Sequence, residues 1–181
     1  MQQIYETDRL ILKSSDVSFT DLVFNYYLRN QSFLKEWEPL RDTEYYTKTY
    51  QKKLLEEDAA NPNSVIFWIF KKEEADKIIG SFAFTNISRG AFLSCFLGYK
   101  LDQEELNKGY MTEAVRQGIK IMFEDLGLHR IEANIMPRNK RSMKVTEKLG
   151  FFEEGLSRKY LKINGIWEDH IHMVLLNEEI E

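Results

Sequence analysis

Residues 92–136 read FLSCFLGYKL DQEELNKGYM TEAVRQGIKI MFEDLGLHRI EANIM, and the order of patterns within them decides the fold. Phe92 to Leu101 is a short, largely apolar run that reads as a strand. The period then changes: Val115, Ile119, Met122, Phe123 and Leu126 recur at helical spacing and stop at Gly127, a residue suited to a left-handed helix end. A second strand follows from about Ile131 to Met136. Two strands joined through one helix are expected to lie parallel and adjacent, with a right-handed crossover. Open sheets of this kind take ligands at the carboxyl ends of their strands, which directs attention to the turn after Leu101 and the segment after Met136.

Upstream, Val65–Phe70 and Ile78–Phe84 are β-branched and aromatic runs separated by a polar stretch, the pattern of an antiparallel pair leading into the strand at Phe92. Leu10–Leu12 reads as a first strand. Phe19, Leu22, Val23, Tyr26 and Tyr27 define a helix that Asp16 or Ser18 would cap, and a second helix is expected from Thr43 to about Ala60, ahead of Pro62. Downstream, a short helix spans about Arg141–Leu149, closed by Gly150, and Asn164-Gly165 marks a hairpin between Tyr160-Leu161 and Ile166-Trp167. The expectation is an α/β fold, with a mixed, mostly antiparallel sheet of about seven strands, a parallel central pair, and helices on both faces.

The 181 residues, 43% hydrophobic and 30% charged, suit one domain over 1–181 and exclude intrinsic disorder. A lone cysteine, Cys95, cannot form an internal disulfide, and three scattered histidines give no zinc-ligand spacing, so no metal is expected and the compartment is read as reducing. The N-terminus has no signal-peptide pattern and no run is long enough to span a membrane, so a cytoplasmic protein is expected. A formal charge of −4, from 25 basic and 29 acidic residues, argues against nucleic acid as a partner.

The turn Leu106-Asn107-Lys108-Gly109-Tyr110-Met111-Thr112-Glu113-Ala114 opens directly into the amphipathic helix. Helix N-termini present unpaired N–H groups and a positive dipole end, so this is a candidate anion site, with Gly109 allowing close backbone approach and Thr112 adding a hydroxyl. Neither a P-loop nor a dinucleotide fingerprint is present.

These segments resemble the GNAT N-acetyltransferases, and within them the Rim-type enzymes that acetylate N-termini of ribosomal proteins. The resemblance runs through Thr7-Asp8-Arg9-Leu10-Ile11-Leu12, Gly98-Tyr99, residues 107–114, Pro137 to Ser142, Glu147 to Phe151, Glu154-Gly155, and Asn164-Gly165 with Trp167 and Asp169. It implies acetyl-CoA as cofactor, its pyrophosphate cradled by backbone amides of Lys108, Gly109, Tyr110 and Met111, with Thr112 at the matching hydroxyl position. Asn107 stands where the family usually has glycine; asparagine tolerates positive φ better than other side chains. Pantetheine would add beside the backbone of Tyr99 to Leu101. Asn139 matches the cofactor-contacting asparagine, and Ser142 the residue near the thiol, a candidate donor of a proton to the leaving thiolate. Capping of the helix start that the two side chains flank is the alternative reading of both.

The reaction implied is direct attack of an amine on a thioester, with no covalent enzyme intermediate. Cys95 sits in an apolar strand and reads as a core thiol rather than a nucleophile. Glu132, Glu168 and His170 are candidates for a base by residue type alone. An α-amine, with a pKa of about 7.7–8.0 against about 10.4 for lysine, needs less help from a base. Trp37, Tyr45 and Tyr46 belong either to an acceptor groove or to the core. The favoured acceptor is a protein N-terminus, ribosomal by resemblance. A small amine as acceptor, a non-catalytic acyl-CoA-binding module and a homodimer are the alternatives left open.

Overall fold

The computed structural model describes residues 2–180; the outermost limits of the expected domain, 1 and 181, lie outside them. Eight strands form one sheet: β1 (Ile4–Glu6), β2 (Leu10–Ser14), β3 (Val65–Lys71), β4 (Glu74–Ser88), β5 (Ser94–Leu101), β6 (Arg130–Ile135), β7 (Phe152–Ile163) and β8 (Ile166–Leu176). Their spatial order is β1-β2-β3-β4-β5-β6-β8-β7, and every neighbouring pair is antiparallel except β5 and β6. The parallel pair joins only Ser94–Phe96 to Arg130–Glu132. Beyond those three positions β5 continues to Leu101 without a partner in β6, which leaves a fork at the carboxyl ends of the two strands.

Four helices flank the sheet: α1 (Thr20–Leu34), α2 (Lys48–Ala60), α3 (Tyr110–Lys120) and α4 (Lys140–Lys148). They cover different faces, which explains why β3 is apolar at consecutive positions rather than at alternate ones. Phe67 and Ile69 enter the core shared with α3 and α4, whereas Trp68 and Phe70 enter the core shared with α1 and α2. Successive strand residues point to opposite faces, so a strand covered on both sides has no solvent-facing position to fill with polar groups. Truncating fully buried Phe67 to alanine would cost about 3–5 kcal/mol.

On one face α1 supplies Val23, Tyr26, Tyr27 and Leu34. On the other, α3 lies close to the sheet through Met111, Ala114, Val115 and Gly118. A Cβ at Gly118 would stand 2.5 Å from the Phe82 ring and 2.8 Å from the Phe84 ring, so only glycine permits this approach.

Several boundaries differ from those read in the sequence. β1 is the eighth strand, a short partner for β2. The second helix does not begin at Thr43: residues 44–46 make a separate 3-10 turn, Thr47 is extended (φ −120, ψ 150), and its hydroxyl caps α2 by accepting the Tyr50 N–H. β5 starts at Ser94 rather than Phe92, because Leu93 turns through φ +40 and leaves Phe92 63% exposed. β4 extends to 74–88, and β7 and β8 form a hairpin far longer than its central residues suggested. Asn164 and Gly165 hold the positive φ values, 44 and 82, of the expected turn. The helix after Gly109 ends in a π-helical turn over residues 121–125, where the Leu126 N–H donates to the Ile121 carbonyl at 3.2 Å, before Gly127 at φ +62. Among the described residues no helix is long and apolar enough to cross a membrane.

Candidate active site

A cavity of about 350 Å³ opens at the fork, between the start of α3, the start of α4 and the end of α1. The turn into α3 carries two residues at positive φ, Asn107 at +63 and Gly109 at +82, on either side of Lys108. Asparagine thus adopts the backbone shape that the resemblance assigns to glycine. Gly109 is the N-cap of α3 and has no side-chain capping bond. The N–H groups of a helix's first turn lack intrahelical acceptors, and Tyr110, Met111 and Thr112 all border the cavity. These unsatisfied donors and the helix dipole suit an anion.

The turn is held from outside. Glu113, in the first turn of α3, accepts hydrogen bonds from the Thr7 hydroxyl (2.6 Å), the Arg9 backbone N–H (2.8 Å) and Arg9 Nε (2.7 Å). The same guanidinium donates to the Lys108 carbonyl at 2.9 Å and lies 4.5 Å from the Tyr110 ring centre. Burial pushes the Glu113 carboxyl up, but these bonds outweigh it and hold its pKa below the ordinary glutamate value. On the other side Lys71 and Lys108 both pair with buried Glu105, at 3.1 and 2.8 Å. Buried Asp102 accepts from Arg29 Nε at 2.6 Å. Asp102, Glu105 and Glu113 thus each have a cationic partner.

At the second helix start, Asn139 Oδ1 accepts the Ser142 N–H at 3.2 Å, so its carbonyl caps α4. Its amide nitrogen is not part of that bond, and the residue borders the cavity. The Ser142 hydroxyl donates to the Tyr99 hydroxyl at 2.8 Å, and Tyr99 in turn donates to the Ser142 carbonyl at 2.9 Å. Burial raises the Tyr99 pKa well beyond its ordinary value despite the bond to Ser142, so the phenol is neutral and keeps its proton. Two linked hydroxyl donors stand at the fork where the sequence suggested one.

Of the residues expected at the site, Tyr99, Leu101, Asn107, Gly109, Tyr110, Met111, Thr112, Asn139 and Ser142 border one cavity. The Lys108 side chain turns away to Glu105, and its carbonyl is occupied by Arg9. Residues not anticipated include Arg141, Lys144 and Lys148, which line the cavity from α4. Their spacing of three and then four residues, one helical stripe, was the available signal. Trp37 also lines the cavity, whereas Tyr45 is buried core against Tyr27. Cys95 is buried, and burial pushes its thiol up to about 12, as befits a core residue.

The three base candidates do not converge. Glu132 is paired with Arg130 (2.8 Å) and His172 (2.6 Å), and these bonds overcome the effect of burial and hold its pKa low. Glu168 pairs with Arg138 at 3.0 Å, and Arg138 also holds Glu36 at 2.7 Å and lies 4.9 Å from the Trp37 ring centre. Through that bridge, and through the Asn164 N–H donating to the Glu38 carbonyl at 2.9 Å, the segment after α1 is tied to the β7–β8 hairpin. His170 is buried, which lowers its pKa, and its Nδ1 lies 3.1 Å from the Glu168 carbonyl.

Residues 9–152 match the model of the acetyltransferase (GNAT) domain. The chain is 39% identical over 168 residues to the [ribosomal protein uS5]-alanine N-acetyltransferase of Escherichia coli, covering 91% of this chain and 86% of that one. In structure it is similar to a ribosomal-protein-S5-alanine acetyltransferase from Vibrio fischeri, with a TM-score of 0.92, 37% identity and 99% of both chains covered. It is also similar to Mycobacterium smegmatis RimJ in complex with CoA-disulfide, with a TM-score of 0.87, 28% identity, and 94% of this chain and 83% of that one covered. The chain therefore belongs to the GNAT acetyltransferase family, in its Rim-type branch, and is an N-acetyltransferase.

Proposed function

We propose that the enzyme transfers acetyl from acetyl-CoA to the N-terminal α-amine of a ribosomal protein. The observation that carries this reading is the convergence of the α3 amides and the Ser142–Tyr99 hydroxyl pair on one cavity. The free N–H groups of Tyr110 to Thr112 would hold the pyrophosphate, with Gly109 giving access, and Arg141, Lys144 and Lys148 supply positive charge along the same wall. The Asn139 amide nitrogen and the β6-side edge of β5 from Tyr99 to Leu101, which pairs only with β4, offer hydrogen bonds to the pantetheine amides. When bound, acetyl-CoA supplies a thioester, an acyl group already activated toward an amine.

Ser142 donates its hydroxyl proton to the neutral Tyr99 oxygen in this structure; turned toward the departing thiolate, it would supply that proton, with the Tyr99 hydroxyl then free to donate to the serine oxygen. Glu132 and Glu168 are both engaged in ion pairs, and an α-amine, a fair fraction of which is neutral at pH 7, tolerates such a site better than a lysine does. The relatives named for ribosomal-protein S5 alanine favour a protein acceptor.

The test is incubation with acetyl-CoA, a peptide with a free N-terminal alanine and one internal lysine, and a panel of polyamines and aminoglycosides. Mass spectrometry should place acetyl on the α-amine first, with a rate that rises through the α-amine pKa. Acetyl on lysine alone, or a small amine preferred by orders of magnitude in kcat/KM, would move the assignment to a small-amine enzyme. Binding of acetyl-CoA without thiol release toward any acceptor would make the chain a binding module.

A further inference from the structure

The sheet face opposite α3 and α4 holds a second arrangement of reactive side chains. Ile131, Ala133, Ile135, Ile171 and Met173 pack toward α3 and α4, so the alternating residues Glu132 on β6 and His172 on β8 point the other way. His172 Nδ1 lies 2.6 Å from Glu132 Oε1, and its Nε2 lies 2.7 Å from Oγ of Ser157 on β7. A carboxylate, an imidazole and a serine hydroxyl are thus linked in that order across three adjacent strands. This is the connectivity that activates a serine nucleophile, and such sets are recognised by geometry rather than by fold.

The parts are fixed in ways that such a site requires. Arg130 donates to Glu132 at 2.8 Å and to Glu154 at 2.9 and 2.5 Å, which anchors the carboxylate. An ionised Glu132 keeps the imidazole proton on Nδ1 and leaves the Nε2 lone pair to accept from Ser157. The Tyr160 ring meets the imidazole edge-on at 5.1 Å and limits its rotation. Access is open: Gly155 stands opposite His172, and a Cβ there would meet nothing within 4 Å. β7 is an edge strand, so the N–H groups on its outer side face no neighbouring strand; where its register with β8 breaks between Ser157 and Leu161, the Lys159 N–H donates to Asp169 Oδ1 at 2.8 Å. None of the three residues lines the cavity at the fork.

We propose that Ser157, activated by His172 and Glu132, is the nucleophile of a second acyl-accepting centre that hydrolyses small activated carboxylic esters, separate from the acetyl-transfer site. Ser157 Oγ bonds to the ester carbonyl carbon as its proton passes to His172 Nε2. The ester C–O bond then breaks, and the leaving alcohol takes that proton. Water attacks the acyl-serine, gives one proton to His172, releases the carboxylic acid, and Ser157 regains its proton.

The test uses the full chain, a fluorophosphonate probe, and p-nitrophenyl acetate with no CoA present. The probe should map to Ser157 by peptide mass spectrometry, and Ser157→Ala should abolish both labelling and ester hydrolysis while leaving acetyl transfer to peptide amines unchanged. His172→Ala should slow labelling on the order of 10³-fold. If His172→Ala does not fold, Glu132→Gln, which keeps the shape, decides: a tenfold or greater fall in labelling rate supports the assignment and an unchanged rate overturns it. Labelling of Ser157 no faster than of other serines, or undiminished in folded His172→Ala, overturns it as well. So does loss of acetyl transfer in Ser157→Ala, which would make Ser157 part of the first site.

Discussion

The two helix starts that meet at the cavity are built by opposite means. At α4 the cap is local: Asn139 accepts the Ser142 N–H three residues on, and the two hydrogen bonds between Ser142 and Tyr99 tie this start to β5. At α3 it is remote: the turn at Asn107–Gly109 has no capping side chain of its own and is clamped by Thr7 and Arg9 from the other end of the chain. The difference follows from what each start has to offer. A side-chain cap consumes an amide, so the helix that presents amides to a ligand must be fixed by bonds made elsewhere. Acetyl-CoA binding should therefore depend on residues far from the turn at α3 and on adjacent residues at α4.

The largest break is expected at Gly109, whose φ of +82 a β-branched residue adopts only with strain. Gly109→Val should weaken acetyl-CoA binding by tenfold or more in a protein that still melts cooperatively, as calorimetry would show. Next comes Ser142→Ala, which should lower kcat on the order of 10²-fold with a smaller change in KM for acetyl-CoA. Tyr99→Phe, which removes the backing hydroxyl, should give the same kind of defect to a lesser degree. Steady-state kinetics under conditions where chemistry limits the rate would distinguish an acid from a mere contact.

Arg9→Ala and Glu113→Gln test the remote clamp, and each should raise the dissociation constant for acetyl-CoA several-fold. Glu113 carries a pH signature too. Its pKa in the folded protein lies below its ordinary value of 4.5, so its stabilising contribution is complete above that value and is lost as pH falls through the lower folded one. The stability gap between the parent and Glu113→Gln should be widest near neutrality and close in acid, which denaturant titrations at several pH values would measure. The smallest effect belongs to the local cap. Asn139→Ala removes one N-cap bond, about 1 kcal/mol, and should lower Tm by roughly 2–4 °C, with a rise in the dissociation constant for acetyl-CoA from the lost amide contact to pantetheine.

The same contrast explains how much the sequence revealed. Strand–helix–strand alternation through residues 92–136, the Asn164-Gly165 turn and the strand-to-helix turn at 107–114 are local patterns, and each is found, with β5 starting two residues later than read, at Ser94. The clamp on Glu113 was not legible, because Arg9 stands 104 positions away and an Arg-Leu pair opening a strand has no distinctive local reading. Tyr99 was read for its backbone, and only the approach of α4 gave its hydroxyl a partner. The single helix expected from Thr43 failed for a different reason. Thr47 obeys capping chemistry stronger than the periodicity running through it.

Gly118 gives α3 the character of a lever. Its missing side chain lets the helix rest on Phe82 and Phe84, and that contact lies eight residues, about 12 Å along the axis, from the amides at Tyr110. A methyl group at Gly118 would pry the helix from the sheet at this fulcrum and swing its far end relative to the fork. Breeding or engineering the enzyme toward bulkier acyl donors could thus begin at a position that touches no ligand, by trading clearance under the helix for room at its tip.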